Sequence, residues 1–124
     1  MPSLSALTFL VPDLDAAQKF YCGLLGFGIE AHYGPELIKL KHDGCAILLN
    51  KCERPSRPDY PRAAQVAVGF AVADVDAELK RLHAAQADLV FDSAQEFPAG
   101  RFIAVRDPAG NVVELLQYHA CSSP

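Results

Sequence analysis

Cys22, Cys45, Cys52 and Cys121, with His32, His42, His83 and His119, are the side chains of this 124-residue chain best suited to hold a metal or attack a substrate. Their spacing offers no local ligand pair. No two cysteines form C-x-x-C and no two histidines stand four residues apart, which excludes a zinc ribbon and a helical histidine pair. A reducing cytosol would keep the cysteines as thiols, so they read as small, buried or half-buried apolar residues. His83 is expected on the solvent side of a helix and His42 in a surface turn, which leaves His32 and His119 as the two histidines able to reach a site. Nucleophilic catalysis has little to work with: there is no G-x-S-x-G elbow, and Ser3, Ser5, Ser56, Ser93, Ser122 and Ser123 fall in turns, linkers or termini. Gly23, Gly26 and Gly28 follow a helix and read as its C-cap and turn, not as a phosphate loop. No catalytic residue is assigned.

The elements that would position a site emerge when the chain is laid over itself at an offset of 61 residues. Leu7 to Lys19 then falls on Val68 to Lys80, and Phe9, Val11, Asp13, Asp15, Ala16 and Lys19 meet identical residues at Phe70, Val72, Asp74, Asp76, Ala77 and Lys80. Both copies open with period-two alternation, the mark of a half-buried strand: Leu7, Phe9, Val11 and Val66, Val68, Phe70, Val72. Asp13 and Asp74 then sit where an N-cap belongs, ahead of helices near 14 to 25 and 75 to 86. Further on, Leu37 to Leu49 matches Phe102 to Leu115 with one inserted residue, each a strand, a tight turn and a strand. Asp107-Pro-Ala-Gly-Asn111 supplies the turn chemistry of a hairpin. Weak strands near Ile29 to Tyr33 and Leu89 to Phe91 complete the order βαβββ, twice. Three prolines in Cys52 to Arg62 suit an extended connector. The expected organisation is one domain over 1–124, made of a module 1–51, a linker 52–62 and a module 63–124.

Composition agrees with one globular unit: 51% hydrophobic and 21% charged residues are enough apolar surface for a core. A net charge of −4, with Lys and Arg spread thinly, argues against a nucleic-acid partner. No apolar stretch reaches the roughly 18 residues of a membrane span, and the N-terminus lacks a signal-peptide pattern. The expectation is a cytoplasmic protein with no membrane partner.

Three stretches carry a family resemblance over nearly the whole chain. Val11-Pro-Asp-Leu-Asp-Ala-Ala-Gln-Lys-Phe-Tyr21, followed by Leu24-Leu-Gly-Phe27, resembles the first-module signature of the vicinal oxygen chelate superfamily. Phe70-Ala-Val-Ala-Asp-Val-Asp76 and Gly100-Arg-Phe-Ile-Ala-Val-Arg-Asp-Pro-Ala-Gly-Asn-Val-Val-Glu-Leu115 resemble its second-module signatures. That superfamily holds glyoxalase I, extradiol dioxygenases, fosfomycin-modifying enzymes and bleomycin-resistance proteins. The resemblance implies an α+β fold in which paired βαβββ modules form a curved mixed sheet around a cavity, with helices on the outer face. It also implies a C2 homodimer, which would cover open sheet edges.

In metal-using members one ligand comes from the first and one from the last strand of each module. Carried over by the repeat, those positions are Ala6, Leu48, Ala67 and Glu114. One oxygen donor stands where a catalytic divalent ion needs about three protein ligands. The chain is thus nearest in character to metal-free, bleomycin-resistance-like members, and neither a metal nor another cofactor is expected.

Strand alternation places Ala6, Thr8, Leu10, Leu48 and Asn50 on the inner face of the first module, and Ala67, Gly69, Ala71, Val112, Glu114 and Leu116 on that of the second. Candidate ligand-binding residues are Thr8, Leu48, Asn50, Gly69, Phe102, Glu114, Leu116 and Tyr118, with Tyr33, Tyr60, Phe97 and Phe102 as candidate stacking walls. Three roles stay open for Glu114: bonding a cationic or hydroxyl-bearing ligand, bonding a protein partner such as Arg101 or Tyr118, or persisting from a lost metal site. The expected partner is a small molecule, cationic or aromatic. The first functional reading is a drug-sequestering binding protein, and the alternative is a metal-dependent glyoxalase-like lyase or dioxygenase with an atypical ligand set.

Overall fold

Asp13 and Asp74 cap their helices in nearly the same backbone geometry, with φ, ψ of −129°, 104° and −144°, 100°. The Asp13 carboxylate accepts from the Ala16 amide, and that of Asp74 from the amides of Asp76 and Ala77. These bonds satisfy amides that a helix start leaves without partners. The two aspartates that the sequence pairs thus cap their helices alike. The computed structural model describes residues 1–54, 56–57, 59–63 and 66–119. Cys121, two connector prolines and Ser122 and Ser123 lie outside the described residues.

The chain divides into two units, Met1–Arg57 with Pro108–Asn111, and Pro58–Asp107 with Val112–Pro124. The first contains β1 (Ala6–Val11), α1 (Leu14–Gln18), β2 (Ile29–His32), β3 (Leu37–Leu40) and β4 (Ala46–Lys51). Its sheet runs β1-β4-β3-β2, with β1 parallel to β4 and the other neighbours antiparallel. The expected long first helix is α-helical only to Gln18; Lys19–Leu24 winds as a wider π-helical turn, in which the Leu25 amide bonds the Phe20 carbonyl. Gly26, at φ +88°, stops it in a conformation that only glycine adopts freely. Burial on β1 alternates as the pattern demands. Phe9 and Val11 join Ala17, Phe20, Tyr21, Ile38, Leu40, Ile47 and Leu49 in the core, while Thr8 and Leu10 are exposed on the other face. The Asn111 side chain donates to the Leu10 carbonyl at 3.1 Å, one contact that draws the turn 108–111 into this unit.

The second unit contains β5 (Val68–Ala71), α2 (Val75–Ala84), β6 (Asp88–Leu89), β7 (Gln95–Phe97), β8 (Gly100–Arg106) and β9 (Val112–Tyr118). The order is β5-β9-β8-β6, and β7 also pairs with β8. As in the first unit, the first strand runs parallel to the last, β5 beside β9. The fold is α+β, two mixed sheets built on βαβββ modules. Two details differ from the sequence expectation. The weak strand expected at 89 to 91 is a two-residue strand, Asp88–Leu89, and β7 was not foreseen, because three residues are too few for periodicity to register. Helix α2 packs on β8 and β9, burying Val75, Leu82, Ile103, Val105, Val113 and Leu115. Gly100 opens β8 where no side chain fits: a Cβ there would lie 1.9 Å from the Gln117 carbonyl oxygen.

Candidate functional site

On β9, Val113 and Leu115 point to the helix side, so Val112, Glu114 and Leu116 point the other way. The register sets Glu114 between Gly69 on β5 and Ala104 on β8, and Leu116 between Ala71 and Phe102. The structure thus brings Gly69, Phe102, Glu114 and Leu116 onto one face of the second sheet, and ring contacts join Tyr118 to that group. Thr8, Leu48 and Asn50 lie on the first sheet, where Thr8 pairs with Leu48 and Leu10 with Asn50. Of these, Thr8 is exposed, and Leu48 and Asn50 are half-buried.

Half-buried Glu114 has a protein partner, and it is neither of the two expected. The Tyr60 hydroxyl donates a short hydrogen bond to Glu114 Oε2. Arg101 instead makes a bidentate pair with Asp76, 2.8 Å in both arms, which ties the first turn of α2 to β8 and holds the Asp76 carboxyl below the usual carboxylate range. Tyr118 stacks edge-on against Phe97, with ring centres 5.9 Å apart. The Tyr60 ring rests on Ala104 and Val112 with Val90 and Phe91 beside it, and is only 8% exposed. The connector was expected to be extended, but its end is a turn, Asp59 to Ala63, closed by a 2.7 Å backbone bond. That turn carries Tyr60 inward.

From Tyr60 an edge-to-face row of rings crosses the face: Phe91 at 6.3 Å, then Phe102 at 5.9 Å, Phe97 at 5.8 Å and Tyr118. Such contacts contribute about 0.5–1.5 kcal/mol each beyond area burial. Phe91 was missed as a site residue because it follows a two-residue strand with no alternation to mark its face. Tyr33, the other candidate wall, is 55% exposed on the first unit. His32, His42, His83 and His119 are all exposed, and His42 meets the Cys45 carbonyl within its own turn. Cys22, Cys45 and Cys52 are free thiols, and burial pushes the Cys22 thiol up.

Burial, then the bond to Glu114 and its charge, raise the Tyr60 phenol well above its ordinary value near 10. Above about pH 10 the unfolded chain releases this proton while the folded chain keeps it, so stability falls as pH rises. Alkaline denaturation of the wild type is expected to be steeper than that of Tyr60→Phe, measured by circular dichroism from about pH 9 to 11. Equal slopes would show that the phenol is not held in this way.

The donor set does not fit a resident divalent ion. Ala6, Leu48 and Ala67 offer no donor, Glu114 is engaged by Tyr60, and among the described residues no three His, Cys, Asp or Glu side chains gather closely enough to hold a cation.

No curated protein matches the chain. Among solved structures it is similar to a lactoylglutathione lyase from Agrobacterium tumefaciens, at 26% identity and TM-score 0.71, covering 93% of this chain and 92% of that one. An antibiotic-binding protein from a Streptomyces strain is 23% identical with TM-score 0.70, covering 96% and 98%. The genomically encoded fosfomycin resistance protein of Listeria monocytogenes is 17% identical with TM-score 0.78, covering 97% and 94%. The last two establish a shared fold. The family model described as Glyoxalase/Bleomycin resistance protein/Dioxygenase superfamily matches residues 3–115, and the chain belongs to that superfamily.

Proposed function

We propose that this protein binds and sequesters a small aromatic or cationic molecule, without an intact metal site. One observation carries the reading: of the four positions where metal-using relatives resemble one another, only Glu114 has a donor, and that carboxylate faces an aromatic row and bonds a phenol. A carboxylate beside ring edges and small side chains suits a ligand that presents a hydrogen-bond donor on a flat apolar body. The shared fold with an antibiotic-binding protein supports the same class. We place the protein in the cytoplasm as a C2 homodimer; β1 and β5 are edge strands of their sheets, and pairing would cover them.

The second reading, a glyoxalase-like lyase or dioxygenase with an atypical ligand set, is favoured by the 26% identity to a lactoylglutathione lyase. One preparation separates the two. Protein purified without chelator is expected to carry no stoichiometric Zn, Ni, Mn or Fe, to leave the methylglyoxal hemithioacetal unconverted when these ions are added, and to sediment as a dimer. One tightly held ion per subunit, or metal-stimulated turnover well above the uncatalysed rate, would establish the second reading in place of the first.

A further inference from the structure

We infer that Tyr60 is a displaceable internal occupant of the ligand position on the second sheet, and that phenols and aromatic amines reproducing its ring and donor are the ligands taken there. The inference rests on the binding reading above and adds what the ligand is and what it must move.

Tyr60 does not belong to the sheet it covers. It reaches Glu114 across 54 residues of sequence from a turn whose other members, Asp59, Pro61, Arg62 and Ala63, are exposed. Release of this one side chain therefore disturbs little of its own segment. Glu114 is flanked by Gly69 and Ala104, the residues with the least side chain; the Leu116 side chain takes the space over Gly69, where an added Cβ would meet Leu116 Cδ1 at 2.6 Å, so the position open to a ligand is the one the Tyr60 ring itself fills over Ala104. Glu114 also uses only one of its oxygens. Oε2 accepts from Tyr60, and among the described residues Oε1 accepts no hydrogen bond.

A para-substituted phenol placed where the Tyr60 ring lies would make the same bond to Oε2 and the same edge contact with Phe91. An aromatic ammonium would do so with a full charge and a donor to spare for Oε1. The exchange conserves the interactions of the site, so occupancy turns on ligand concentration against the tether of the connector.

The test uses p-cresol as the probe, with toluene as the ring lacking the donor, titrated into wild type, Tyr60→Phe and Tyr60→Ala. Protein labelled with 3-fluorotyrosine reports on the tyrosines, and Tyr60→Phe assigns the Tyr60 resonance. In the wild type, saturating p-cresol is expected to move the Tyr60 resonance to a solvent-exposed position. Affinity for p-cresol is expected to rise several-fold in Tyr60→Phe and at least about tenfold in Tyr60→Ala, since an internal competitor weakens apparent binding by the fraction of time it holds the site. Toluene should bind more weakly than p-cresol in every form but gain by a similar factor, because the free fraction of the site belongs to the protein and not to the ligand. If Tyr60→Ala does not fold, wild type against Tyr60→Phe decides the matter. Binding with the Tyr60 resonance unmoved and equal affinities would overturn the displaceable occupant and leave the binding reading standing. Failure of every folded form to bind p-cresol or an aromatic amine would overturn both.

Discussion

Glu114→Gln is expected to weaken a protonated aromatic amine, such as 4-methylbenzylammonium, by about tenfold or more, while p-xylene binds no worse and gains to the extent that Tyr60 is held less firmly. A hydrogen bond to a charged partner contributes roughly 1.5–3 kcal/mol, and the amide removes the charge at constant shape. The variant should fold as the wild type does, because the amide keeps an oxygen for the Tyr60 hydroxyl and the side chain it replaces is only half-buried. The ligand's own charge decides the size of the effect. A phenol competes with Tyr60 for the same oxygen, so weakening the acceptor weakens both competitors and their difference changes little. A cation loses an attraction that Tyr60 never had. Isothermal titration of both compounds into both proteins measures this, and an ammonium affinity indifferent to the substitution would remove Glu114 from ligand recognition.

Tyr21→Ala is expected to cost about 3–5 kcal/mol, the range for truncating a large core aromatic. Tyr21 is fully buried and is packed from two sides, by Phe9 with ring centres 4.7 Å apart and by Phe20 edge-on at 4.9 Å. The π-helical turn and β1 are joined through these rings. Against a total stability of roughly 5–15 kcal/mol, such a loss lowers the thermal midpoint by more than about 10 °C. Differential scanning calorimetry would show it; a shift of a degree or two would mean that the first unit does not depend on this aromatic cluster.

Local rules account for what the sequence by itself determined. Alternation at Leu7, Phe9 and Val11 told which side of β1 is buried, the aspartates at 13 and 74 marked helix starts, and Gly110 with its neighbours marked the β8–β9 hairpin. Each of these signals acts between residues a few positions apart, so the chain need not be folded for them to be read. The repeat then transferred each assignment to its counterpart, and Gly69, Glu114, Leu116, Phe102 and Tyr118 fell on the same side of the second sheet for the same reason. The partner of Glu114 was beyond that reach. Three groups of suitable chemistry, Arg101, Tyr118 and Tyr60, could satisfy a carboxylate on β9, and no spacing distinguishes them. The choice follows from where other elements put them: Asp76 on α2 takes the guanidinium of Arg101, Phe97 on β7 holds the ring of Tyr118, and the turn at the end of the connector brings Tyr60 over Ala104 and Val112. A connector has no periodicity and no face of its own, so only the tertiary structure, through the burial of one ring 54 residues from its hydrogen-bond partner, decided which group stands against Glu114.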